Sequence, residues 1–229
     1  SKLENSGTIN LVSSTSANKP NIGMFTEDQG TLIHNSKNII AENNTYGIYG
    51  KTVKLSGSAK IKVGNNSVGV FSNGKYAVGL SAPTVNIASG TTIEVGKNEA
   101  VGVFTTGKNQ NISSQADIKI GDNSYGYVVK GVGTKLSTNS SNPITVGNDT
   151  VFAYSTDRTG TIENRATLTS TGSKNYGIYA AGTATNLANM NFGTGEGNVG
   201  IYSIRGGNAT NSGTITVGAS DPSSNLYSI

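Results

Sequence analysis

The sequence predicts an all-β fold, a right-handed parallel β-helix of about nine coils with three short strands per coil. Three observations carry that expectation. The phrase Tyr46-Gly47-Ile48-Tyr49 returns as Val68-Gly69-Val70-Phe71, Val101-Gly102-Val103-Phe104, Tyr125-Gly126-Tyr127-Val128, Tyr176-Gly177-Ile178-Tyr179 and Val199-Gly200-Ile201-Tyr202. Weaker copies stand at Ile22-Gly23-Met24-Phe25, Val151-Phe152-Ala153-Tyr154 and Ser224-Asn225-Leu226-Tyr227. Successive copies lie roughly 22–26 residues apart, the period at which one repeat makes one coil of a solenoid. Between them, short runs alternate apolar and polar residues, as a strand with one buried face does. No 3.6-residue or heptad pattern competes, because glycine interrupts every helical candidate.

Each coil supplies its strands in order. The first run is Ile61-Lys62-Val63, with Ile93-Glu94-Val95, Ile118-Lys119-Ile120, Ile144-Thr145-Val146 and Ile215-Thr216-Val217 as equivalents. A turn follows, as in Gly64-Asn65-Asn66, Gly121-Asp122-Asn123 and Gly147-Asn148-Asp149, whose residues tolerate φ > 0. The aromatic phrase is the second run. The third is Val53-Lys54-Leu55, Val85-Asn86-Ile87, and the stretches around Ile112, Leu136, Ile162 and Leu187. Nine coils stacked about 4.8 Å apart would make a rod of about 45 Å. In that stack Lys62, Glu94 and Lys119 share one outward position with alternating sign, which favours the alignment. The step from Gly69 to Gly102 holds an extra partial copy, Ala77-Val78-Gly79-Leu80. Residues 1–229 therefore read as one β-helix segment with a loop or hairpin insertion near 72–80.

Composition narrows the function classes. Charged residues make up only 13% of the chain, so Asn, Ser, Thr and Gly must build the polar surface. Net charge is +4 with lysines scattered, and no basic stripe interleaved with aromatics points to nucleic acid. The chain has no cysteine, which excludes disulfides, thiolate catalysis and Cys-based metal sites. No run is long and apolar enough to span a bilayer, and Ser1-Lys2-Leu3-Glu4 does not begin a signal peptide. The chain opens and stops inside repeat-like phrases, which reads as a segment of a longer protein.

The repeats resemble the passenger domains of large Gram-negative autotransporter adhesins, fusobacterial ones in particular. The matching pieces are Asn211-Ser212-Gly213-Thr214-Ile215-Thr216-Val217-Gly218, Val63-Gly64-Asn65-Asn66-Ser67-Val68-Gly69-Val70-Phe71 and Asn175-Tyr176-Gly177-Ile178-Tyr179. The resemblance implies a non-catalytic stalk, displayed on the outer membrane or secreted. It implies partners on host-cell surfaces (protein or glycan) or on other bacteria, as in coaggregation and virulence. It carries no ligand motif to particular residues, and no cofactor. Two alternatives stand beside it: a polysaccharide lyase, hydrolase or tailspike on the same scaffold, and a purely structural spacer.

Candidate binding residues come from the aromatic fourth position of the phrase, Phe25, Tyr49, Phe71, Phe104, Tyr154, Tyr179, Tyr202 and Tyr227, with Tyr49, Tyr154, Tyr179 and Tyr202 foremost. Alternation turns this position outward if the third position faces in. Recurrence in every coil instead favours rings that bend back as core. Catalytic and metal-binding residues are not expected. Glycosidase chemistry wants two carboxyl groups about 5–9.5 Å apart. Asp28, Asp117, Asp122, Asp149, Asp157 and Asp221 mostly stand singly in turns, with Asp122 and Asp149 the nearest to a pair. His34, the single histidine, reads as a loop or strand-edge residue. A fragment whose end coils lack neighbours is also expected to associate end to end through open strand edges.

Overall fold

The computed structural model describes residues 2–27, 30–74 and 84–218. Three parallel sheets wrap the chain into a β-solenoid with three strands per coil and no helix among the described residues. The first sheet stacks nine strands, from Lys2–Asn5 to Asn208–Asn211. The second stacks nine, from Ile9–Leu11 to Ile215–Thr216. The third stacks eight, from Asn21–Phe25 to Val199–Ser203. Eight complete coils are thus described, with two strands of a ninth. The phrase at Ser224–Tyr227 and the partial copy at Ala77–Leu80 lie outside the described residues. Val68 pairs with Val101, so the longest step along the chain is still a single coil.

Parallel strands in a solenoid can bury only one face, and alternation selects it. Leu32, Val53, Val85, Ile112, Leu136 and Ile162 point inward from the first sheet. Ile39, Ile61, Ile93, Ile118, Ile144 and Leu168 do so from the second. In the outward column Glu94 stands between Lys62 and Lys119, and Lys62 Nζ lies 3.5 Å from the Glu94 carboxylate. The expected charge alternation is present. One third-run assignment is corrected: Ala184, rather than Leu187, pairs with Ile162. Leu187 falls just beyond the strand Thr183–Asn186, where its bulk misled the alignment.

The turns take up positive φ as expected, and the structure shows which of their residues does so. The left-handed conformation falls on Asn66 (φ 52°), Asn123 (φ 52°) and Asp149 (φ 52°) rather than on the glycines of these turns. The glycine of the aromatic phrase answers to contact instead. A Cβ on Gly69 would lie 2.7 Å from the carbonyl oxygen of Gly102 in the next coil. Stacked phrases therefore approach too closely for a side chain at this phase.

One coil breaks the rule and is repacked accordingly. Where neighbouring coils read Gly126-Tyr127 and Gly177-Ile178, this one reads Phe152-Ala153. Phe152 is fully buried, and the small Ala153 leaves room for it. Its ring meets Tyr127 edge-on, with centroids 5.5 Å apart. The Tyr127 hydroxyl ends against Ser114 Oγ at 2.7 Å, which satisfies an otherwise dry phenol.

Burial pushes the Tyr127 phenol up to about 12, against an ordinary value of 10.0. Between those values the unfolded chain has released a proton that the folded chain still holds, so stability falls as pH rises above 10. This one group should cost about 2–3 kcal/mol by the end of that window. Urea unfolding at about pH 8 and about pH 11 checks it. Tyr127→Phe should lose about 1 kcal/mol at the lower pH and show a shallower alkaline decline than the parent.

Candidate functional site

The outer faces of the three sheets differ in chemistry. Outward positions of the first carry residues such as Lys54, Asn86 and Ser113, and those of the second carry Lys62, Glu94, Lys119 and Thr145. The third carries rings. In its phrase the register pairs first, third, fourth and fifth positions coil to coil and passes over the glycine. The chain bends there, so first and fourth positions come to the same outer face. Tyr46 and Tyr49, three residues apart, stack at 6.0 Å.

The aromatic column consequently stands outside, and the expectation that its rings turn back into the core is corrected. Ile48, Val70, Val103 and Ile178 fill the interior at the third position, and strand alternation sends the next residue out. Tyr49, Phe71, Phe104, Tyr154 and Tyr179 are half-buried because each ring shields its neighbours, whereas Phe25 and Tyr202 are exposed. Recurrence in every described coil but that of Val128 reflects this ladder of ring against ring.

Two stacks make up the face. In the first, Phe25 lies 5.5 Å from Tyr49, Tyr49 lies 4.7 Å from Phe71, and Phe71 lies 5.1 Å from Phe104. In the second, Tyr154 lies 5.1 Å from Tyr179 and Tyr179 lies 5.0 Å from Tyr202. Tyr125 and Tyr176 brace the second stack edge-on. Val128 stands at the ring position between the two stacks. Above it lies a 270 Å³ notch lined by Glu99, Val101, Phe104, Tyr125, Val128, Lys130 and Tyr154. Lys130 Nζ sits 5.5 Å from the centroid of Phe104. Partial burial raises the Tyr46 and Tyr154 phenols above their usual range, so both hydroxyls are protonated donors near neutral pH.

The foremost candidates, Tyr49, Tyr154, Tyr179 and Tyr202, thus share one face. Sequence reasoning missed the notch residues Val128, Lys130 and Glu99. Their only signal was Val128, the single aliphatic fourth position among the clear copies of the phrase.

The other candidates dissolve into the scaffold. Asp122 pairs with Lys97 at 2.7 Å and accepts from the Asn148 backbone N–H at 3.0 Å, which together hold its carboxyl below the usual range. Asp149 occupies a left-handed turn position, as Asn123 does in the preceding coil. Asp117 accepts from Ser140 and Asn142, and Asp157 from Thr159. Asp28 and Asp221 lie outside the described residues. His34 is corrected from loop or strand edge to interior: it lies in Thr31–Asn35 with its ring fully buried. Its Nε2 lies 3.2 Å from the Lys37 carbonyl and its Nδ1 3.0 Å from Asn5 Nδ2, which fits a neutral ring donating through Nε2. Desolvation lowers its pKa accordingly. Among the described residues no group of His, Cys, Asp or Glu could hold a metal ion, and no helix is long and apolar enough to cross a membrane.

Comparison with protein-family models, with curated proteins and with solved structures gives no match.

Proposed function

We propose that this chain is a non-catalytic extracellular segment of a bacterial surface adhesin of the autotransporter type. It attaches the cell to host surfaces or to other bacteria. One observation carries the reading: aromatic side chains are segregated onto one of three outer faces and run along it from Phe25 to Tyr202. Ring stacking steadies the coils, but it also keeps large amphipathic side chains ordered at a surface. Such groups are enriched at protein interfaces because they give contact area at low entropic cost. A long ridge of repeated weak contacts gains affinity by multivalency when its partner also repeats. The turn carboxylates, tied to a neighbouring turn at Asp117 and Asp122 and within its own turn at Asp157, support a scaffold role for the acidic residues.

The test is binding of fluorescently labelled residues 1–229 to epithelial cells and to bacterial cells, read by flow cytometry. Saturable binding is expected, lost in a heat-unfolded sample. It should weaken severalfold when Tyr49, Tyr179 and Tyr202 are together changed to Ser. Absence of binding by the folded protein would leave the chain a structural spacer.

A further inference from the structure

We propose that the notch over Val128 is a saccharide-binding subsite that clamps a single pyranose ring between Phe104 and Tyr154. The argument begins with the ladder. Fourth-position rings in successive coils lie 4.7–5.5 Å apart wherever two occur together. Val128 pairs with Phe104 on one side and Tyr154 on the other, so these two rings belong to strands about 9.6 Å apart. The gap has the height of one missing rung. A free volume of 270 Å³ remains above the valine.

The chemistry of the rim selects the occupant. Glu99 and Lys130 line the notch, are exposed, and form no ion pair with a described residue. Tyr125 and Tyr154 belong to the same lining. A slot lined by aromatic, aliphatic, acidic and basic side chains together suits an amphipathic ring. A pyranose presents C–H faces to the two rings and a rim of hydroxyls to Glu99, which accepts, and Lys130, which donates. An inserted phenyl ring from a protein partner would satisfy neither charge and would strip water from both, an unfavourable exchange.

Lys130 now rests over Phe104, so its flexible stem holds the slot until a ligand enters. The inference deepens the adhesive reading by naming the ligand class, and it rests on that reading for its biological setting alone.

The experiment is saturation-transfer NMR on residues 1–229 with methyl pyranosides of glucose, galactose, mannose and N-acetylglucosamine, and with phenylalaninamide as the aromatic probe. At least one pyranoside should receive transfer at its ring C–H protons and bind at least tenfold tighter than phenylalaninamide. Val128→Tyr should reduce that affinity at least tenfold by supplying the missing rung. The column elsewhere accepts Tyr at this position, and circular dichroism will verify that the variant folds. Glu99→Gln, a surface change, should weaken binding severalfold. No transfer to any pyranoside, unchanged binding in Val128→Tyr, or preference for phenylalaninamide would each overturn the inference. The cell-binding assay reads separately: cells bound equally by the parent and Val128→Tyr would sink the subsite and leave the adhesive reading standing. Pyranoside binding without cell binding would do the reverse.

Discussion

Phe152→Ala is expected to destabilise the solenoid by about 3–5 kcal/mol, among the largest losses of any single truncation in this chain. Phe152 takes the phase that glycine holds in most neighbouring copies, and its side chain fills space that Ala153 vacates. Its truncation leaves a cavity walled by the Tyr127 ring, which loses its edge-on partner while its hydroxyl stays pinned to Ser114. Two fixed ends keep that ring from collapsing into the void, which puts the cost toward the upper part of the range. The double variant Phe152→Gly with Ala153→Ile restores the pattern of Gly177-Ile178 one coil on. It should recover more than 1 kcal/mol relative to the sum of the single changes, because the two residues share one volume. Urea unfolding followed by far-UV circular dichroism measures both. Hydrogen exchange should localise the damage to the coils on either side, since each coil contacts only its neighbours. A Phe152→Ala loss below about 1 kcal/mol would show that this coil has another way to close.

That substitution also shows where the sequence could be read and where it could not. Strand order, sheet identity and the Lys62–Glu94–Lys119 register followed from period and alternation, because both are local rules that a repeat enforces on every coil. The outward turn of the ring column was one of two readings. Choosing between them needed the bend at the phrase glycine, which the register exposes by passing over it. Ala184 escaped notice because a small residue gives little strand signal, and the nearby Leu187 drew the alignment. His34 looked like a loop residue because a lone polar side chain in a β-branched run suggests an edge. Its burial is stabilised by Asn5, a residue of the preceding coil that only the three-dimensional register places beside it. The notch was the least legible feature of all. It is defined by a ring that is missing, and absence acquires meaning only once the rings above and below are known to stack.

The second large effect is expected at the inward asparagine ladder of the first sheet. Asn164, Asn186 and Asn211 stand in register in three successive coils. Asn164 Nδ2 donates to Asn186 Oδ1 at 2.8 Å, and Asn186 Nδ2 donates to Asn211 Oδ1 at 2.7 Å. Thr138 Oγ1 begins the chain by donating to Asn164 Oδ1 at 2.7 Å. Each asparagine also holds its own turn, as when Asn186 Nδ2 donates to the Ala188 carbonyl at 2.7 Å. An amide serves here because it carries donor and acceptor together, so every rung can both give and receive. Asn186→Ala removes the middle rung and leaves the buried Asn164 amide without the acceptor it donates to, for a loss of about 2–4 kcal/mol. Asn186→Asp keeps the shape but not the donors. Its carboxylate would face the Ala188 carbonyl and the Asn211 amide oxygen, three acceptors meeting with no proton between them. Burial among acceptors raises the folded pKa of such a group above its unfolded value, so the penalty grows as pH rises through the ordinary carboxylate range and fades below it. At neutral pH the aspartate variant should therefore be the less stable of the two, by about 1 kcal/mol or more, and near pH 4 that difference should shrink or reverse. Urea midpoints for both variants across that range decide it. An aspartate variant as stable as the parent at neutral pH would mean that the amide donors contribute nothing, and that shape alone holds the ladder.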